Sequence, residues 1–267
     1  SVVIIYGTLN LYFKPMKNYL KQMEAWDTLM VYTQNYANAR NQDFQSQLEF
    51  LDIFIWMDAE SRWQETAFKL TQTRITNDNS MKSLMQHLVN NGKYDFAYKR
   101  LKEYRQKTNT KDFYSIEMGT FFGIRMDYEK AVQEYLLFLE THPEQLQTIS
   151  DRIMVYPDIP DIMNVITSIL LKSPLQSSQF ILADLLFKQK SYKEGYEILK
   201  SNEAPPLMLL NYAEDLISVN EYMKAEKVLT DIINSDVNEQ MATKAVIEMA
   251  KIFETKMIIT SLDLPLS

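Results

Sequence analysis

Apolar residues in this chain recur at helical spacing almost from end to end. Tyr19, Met23, Trp26 and Met30 follow one another at intervals of four and three, with Leu29 widening the face, which predicts an amphipathic helix after Pro15. A polar exit over 35–43 leads to a second long helix predicted over about 44–70, carrying Leu48, Leu51, Ile55, Trp56, Trp63 and Phe68. Asn77, Asp78, Asn79 and Ser80 form a turn and cap cluster, with Ser80 or Asn79 placed to accept from the free amides of the next helix. Shorter stripes then alternate with turns: Leu84 and Leu88, then Tyr94, Ala97 and Leu101; Met118 and Phe122, then Tyr128, Ala131, Tyr135 and Phe138. Pro157 and Pro160 interrupt the rhythm, because proline lacks an amide hydrogen and restricts the residue before it. Two shorter helices are therefore predicted at about 144–155 and 161–172, with Asp161 capping the second. Further stripes carry Ala183, Leu186, Tyr192 and Leu199, then Ala213, Leu216, Tyr222, Ala225 and Leu229, and a last helix is predicted over about 238–256.

The stripes repeat as a phrase. Gly92, Lys93, Tyr94, Asp95, Phe96 and Ala97 are answered by Met126, Asp127, Tyr128, Glu129, Lys130 and Ala131, so that tyrosine and alanine both return after 34 residues. Looser copies start at Lys190 and Asn220, with Gly195 replacing the alanine in the first of them. Tyr128 to Tyr192 spans 64 residues, less than two periods, so the unit between them is compressed. Two helices approach closely only where a small side chain faces the crossing, so a leucine at Ala97 or Ala131 should overpack it. The organisation expected is an amino-terminal apolar segment with one irregular helical hairpin as a cap (1–76), an array of hairpins (77–237, with units at about 81–108, 111–143, 144–172, 175–203 and 206–236), and a capping helix with an apolar tail (238–267).

These residues resemble the tetratricopeptide repeat. Gly119, Tyr128, Ala131 and Pro143 fall where that family's pattern places glycine, aromatic, alanine and proline, and the likeness is fullest across 80–143 and looser across 175–236. The resemblance implies an all-α fold, a right-handed α-solenoid of stacked antiparallel helical hairpins, whose usual work is to hold other polypeptides. It also implies a partner-binding groove lined by the second, fifth, ninth and twelfth positions of each first helix. Carried onto this chain those are Asn79, Lys82, Gln86 and Val89; Phe113, Ile116, Thr120 and Gly123; Ser177, Phe180, Asp184 and Phe187; and Leu207, Leu210, Glu214 and Ile217. The surface so composed is largely apolar and is expected to take a hydrophobic peptide or helix. Phe113, Phe180 and Phe187 read either as anchors for that partner or as core between repeats. The dicarboxylate clamp of some family members is not expected, since only Lys82 supplies a cation and Gln86 and Glu117 stand where asparagine is wanted. The apolar ends, 1–13 and 257–267, have the composition to occupy the groove themselves.

Composition narrows the function further. A net charge of −7 and a pI near 5.1 argue against nucleic acid, whose affinity comes from lysine and arginine neutralising phosphate. The absence of cysteine excludes disulfides, thiolate metal sites and thiol nucleophiles while leaving the compartment open. Residues 1–13 are too short to span a bilayer and read as a segment folded back on the array or as the remnant of an anchor or export signal. His87 and His142 read as structural, and no phosphate loop, nucleophile elbow or paired zinc histidines occur. Asp158 with Asp161, and Asp58 with Glu60, read as caps and solvated faces in preference to an acid and base pair. The expected function is a non-enzymatic interaction scaffold or adaptor for a protein or peptide partner, with no cofactor. The alternatives are a structural subunit of a larger complex, membrane-associated assemblies included, and the regulatory part of a longer enzyme.

Overall fold

The computed structural model describes residues 2–75 and 77–262, the side chains of 2–10 and 258–262 excepted. Its α-helices are α1 (Val2–Gln22), α2 (Trp26–Ala39), α3 (Phe44–Trp56), α4 (Glu60–Thr73), α5 (Asp78–Asn90), α6 (Tyr94–Thr108), α7 (Ser115–Ile124), α8 (Tyr128–Leu139), α9 (Leu146–Met154), α10 (Pro160–Lys172), α11 (Gln176–Lys188), α12 (Tyr192–Ser201), α13 (Pro206–Ser218), α14 (Tyr222–Ile233) and α15 (Glu239–Leu262). A 3₁₀ turn at Pro143–Gln145 precedes α9, and no strand occurs among the described residues. The chain divides into two compact units, 1–114 and 115–267. Within each, helices pack on their neighbours along the chain: α3 touches α2, α4 and α5, and α11 touches α9, α10 and α12. This nearest-neighbour packing is that of an all-α solenoid of stacked hairpins.

One backbone turn recurs where most hairpins reverse. Glu24, Asp58, Gly92 and Met126, each 34 residues from the next, have positive φ angles of 51°, 54°, 73° and 64°, and Lys190 and Asn220 both take 63°. At all six the amide of this left-handed residue donates to the carbonyl three residues back, and the following amide donates to the carbonyl five back. Gly92 to Val89 and Lys93 to Leu88 are examples, both at 2.9 Å. Such a motif satisfies the free carbonyls at a helix end and reverses the chain within three residues. The reversal between α9 and α10 is made differently, by Pro157 and Pro160, since proline's fixed φ excludes the left-handed region.

The recurring turn corrects the amino-terminal reading. The stripe from Tyr19 to Met30 is split by a reversal at 23–25 between α1 and α2, leaving Tyr19 and Met23 exposed, and Pro15 lies inside α1 instead of before a helix. The single helix predicted over 44–70 is α3 and α4, reversed at Asp58. The first 76 residues thus hold two hairpins with the same turn as the array, where one irregular hairpin was expected. The helical spacing ran on through both reversals because glutamate and aspartate, not glycine, occupy the left-handed position. Leu29 and Trp63 also stand where later hairpins have alanine or glycine, five residues after that position.

Asn77, not Asn79 or Ser80, caps α5, its side chain accepting from the Ser80 amide at 2.9 Å. Asp161 does not cap α10, which starts at Pro160 after Ile159; it sits in the first turn, where a negative charge complements the helix dipole. His142, just past the end of α8, stacks on Phe138 with ring centroids 4.3 Å apart. The last helix runs past its predicted end at 256 to Leu262.

The small residues sit where helices cross. Ala97, Ala131 and Ala225 are fully buried. A Cβ on Gly119 would lie 2.5 Å from the Tyr135 ring, so glycine is what lets α7 and α8 close. Gly195 has a different cause: a Cβ there would meet the Tyr212 hydroxyl at 2.6 Å and the Ala183 carbonyl oxygen at 3.1 Å. That buried hydroxyl donates to the Tyr192 carbonyl at 2.8 Å, tying α13 to α12. Among the described residues no helix is long and apolar enough to cross a membrane. Phe13 is buried against Tyr36, while the side chains of 2–10 and residues 263–267, with any occupancy of the groove by them, lie outside the described residues.

Candidate functional site

In the carboxyl-terminal unit, α9, α11 and α13 border a cavity of about 650 Å³. Helix α9 turns Leu146, Gln147, Ser150, Asp151 and Met154 towards it, and α13 turns Leu207, Met208, Asn211, Tyr212 and Asp215. Both sets step through positions i, i+1, i+4, i+5 and i+8, one continuous helix face each. Between them α11 contributes Phe180, Asp184 and Phe187, one turn apart or nearly so. Its volume lies within the range of ordinary ligand pockets, but the walls are not uniformly apolar. Asp151, Asp184, Glu214 and Asp215 all line the cavity, and among its lining residues there is no lysine, arginine or histidine.

Asp184 dominates the electrostatics. Burial pushes its carboxyl above the usual carboxylate range, and the charges of Asp215 and Asp151 push the same way, against one hydrogen bond from the Ser150 hydroxyl at 2.5 Å. Partial burial raises Asp215 as well. The Tyr212 phenol is raised by burial first and by Asp184 next. Lys188, on the same helix as Asp184, is engaged elsewhere: its Nζ donates to the carbonyls of Met154 and Tyr156 at 2.8 and 3.0 Å, capping the end of α9.

The amino-terminal unit holds the contrasting arrangement. Lys17 on α1 is buried between Glu49 and Asp52 of α3, donating to both, at 2.8 Å for Asp52. Asp52 also meets His87 Nδ1 on α5 at 2.9 Å and the side-chain amide of Asn91, just past the end of α5, at 2.8 Å, and Asn91 accepts from the Trp56 indole at 2.7 Å. Here burial raises Asp52 but is outweighed by His87 and Lys17, which hold it below the ordinary range. Every partner is accounted for, as in a structural network linking three successive first helices. His87 is thus a member of this network, and nothing in its spacing on α5 signalled the partner 35 residues away.

Of the residues assigned to the groove by register, the cavity brings together Phe180, Asp184, Phe187 and Glu214, with Leu207 at its rim. Phe180 is only 7% exposed and belongs equally to the core. Leu210 is buried and Ile217 packs against the same core, although Leu210 and Glu214 also border a smaller cavity between α13 and α15. Thr120 is held by hydrogen bonds, donating to the Ile116 carbonyl and accepting from Arg152 at 2.9 Å. In the other unit Lys82 and Gln86 are exposed on α5. Phe113 precedes α7 instead of lying on it; its half-buried ring packs on Tyr104 and Tyr114 with Lys82 over its face. Sequence register missed Ser150, Asp151, Asp215 and Tyr212. The first two lie in the compressed unit, and the last two are one or two positions from those the family pattern singles out.

No family model matches the chain, and no curated protein sequence matches it. Among solved structures it is similar to a chain described under "Functional Characterization of Pseudomonas Aeruginosa pilF", at 12% identity and a TM-score of 0.33, with 94% of this chain and 99% of that one covered.

Proposed function

We propose that this chain is a non-enzymatic interaction scaffold of the tetratricopeptide type, which takes a segment of a partner polypeptide in the cavity bordered by α9, α11 and α13. The observation that supports it is the placement of that cavity on the first helices of three successive hairpins, with one continuous face of α9 and of α13 turned inward. Repetition of the hairpin turn at intervals of 34 residues supports the family reading. The test is a photo-crosslinking residue in place of Leu207, 53% exposed at the cavity rim, against the same residue in place of Met223, 81% exposed on α14. In cells that make the protein, a discrete polypeptide adduct is expected from position 207 and not from 223. Equal yields at both positions, or none at 207, overturn the proposal.

A second reading, a structural subunit of a larger complex, has an observation of its own. Ile124 and Val155 are 73% and 79% exposed and border one cleft of about 390 Å³. Ile124→Glu with Val155→Glu is expected to release neighbouring subunits while helicity is kept; an unchanged sedimentation profile in cell extract removes this reading.

A further inference from the structure

We propose that the segment held in the cavity is basic: a stretch of partner polypeptide in which lysine or arginine side chains alternate with apolar ones. This rests on the docking role proposed above and specifies its chemistry. Asp151, Asp184 and Asp215 come from three different helices, and none of them is offset by a cation among the lining residues. Elsewhere in the chain the pattern is different. Glu49 and Asp52 share the buried Lys17, and Asp231 takes Lys200 at 2.7 Å. A half-buried carboxylate stabilised by one neutral hydroxyl carries an unmet desolvation cost, which a cation brought by a partner offsets.

The form of the partner follows from how the charge is spread. Among the described residues no three acidic or histidine side chains are grouped closely enough to hold a metal ion. Neutralising the cavity calls for cations spaced along a chain. Apolar surface supplies the rest of the fit, since Leu207, Met208 and Phe187 lie among the carboxylates and would pack the aliphatic stems of lysine or arginine. Arginine suits best, because its planar guanidinium meets a carboxylate with two parallel hydrogen bonds.

The experiment is selection of a random peptide library on the full chain, followed by fluorescence anisotropy with the selected peptides. Asp151 and Asp215 are both exposed, so Asp151→Lys with Asp215→Lys is the variant that leaves the core alone. The selected peptides are expected to carry lysine or arginine among apolar residues. They are expected to bind about tenfold or more weakly to the variant and at raised salt. Selection on the variant should then turn to acidic peptides. A neutral or acidic preference on the parent chain, or affinity indifferent to the two substitutions, overturns the inference while leaving polypeptide docking in place. Saturation of the cavity by calcium or manganese alone overturns it in favour of an ion. A library that enriches nothing overturns it too, and together with an absent adduct at position 207 overturns the docking role as well.

Discussion

Asp52 and Asp184 are two partly or fully desolvated acids with opposite consequences for stability. Asp52 is held below the ordinary value of 3.8, so its contribution is complete above that pH and is lost as the pH falls through the lower folded value. Asp52→Asn is therefore expected to destabilise the chain at pH 7 by about 3 kcal/mol, the cost of leaving a buried cation short of a partner. The difference from the parent should shrink in urea melts below pH 4. Asp184 is raised, so the folded chain binds its proton more tightly than the unfolded chain, and stability falls as the pH climbs through its folded value. Asp184→Asn keeps an acceptor for Ser150 and removes the charge; it is expected to raise the urea midpoint at pH 7 and to leave it unchanged at pH 3. A lower midpoint at pH 7 would show the carboxylate to be compensated. Stability gained at the expense of binding is the mark of a residue kept for function. The sequence register put Asp184 among the positions predicted to line a groove but could not reveal its cost, because burial and the approach of Asp215 belong to the packed helices. Phe180 is the converse case, apolar and in register, yet so far inside the core that Phe180→Asp is expected to disrupt the packing of α11 on its neighbours and so say nothing of binding.

The reversal between helices is the element that repeats, and its energetics sit in one backbone angle. Gly92 holds φ +73°, and a Cβ there would meet only Tyr94 at 3.8 Å, so Gly92→Ala is a test of backbone alone. It is expected to lose about 1 kcal/mol in urea titration, the cost of a side chain in the left-handed region. Met126→Gly, at the equivalent turn, is expected to gain about 0.5 kcal/mol, strain relief exceeding the added freedom of the unfolded chain. Losses at both positions would mean that side-chain packing, not φ, governs these turns. Most helices from α5 onward were legible from their apolar spacing, and the proline-made reversal before α10 was legible because proline acts locally. The reversals at Glu24 and Asp58 were not, since tertiary packing of α1 on α2 and α3 on α4 imposes a conformation that these residues do not announce.

At the scale of the whole molecule, hairpins within each unit are held by their neighbours, so damage should stay local. Ala131→Leu, at a fully buried crossing of α7 and α8, is expected to cost about 2 kcal/mol by overpacking. Hydrogen exchange should quicken in α7, α8 and the adjoining α9 and α10 while α14 keeps its protection. Uniform loss of protection through the unit would instead mark a single cooperative core. The sequence by itself determined the all-helical character, the 34-residue period and the small residues at crossings, because helical spacing, turn chemistry and side-chain volume are local properties. Only the tertiary structure decided that the amino-terminal stretch makes two hairpins of the same kind. It alone gathered Asp151, Asp184 and Asp215 from three helices around one cavity, and gave Lys17 to Glu49 and Asp52. Those pairings join residues roughly a repeat apart, where no pattern along the chain records which charges meet and which are left without a counter-ion.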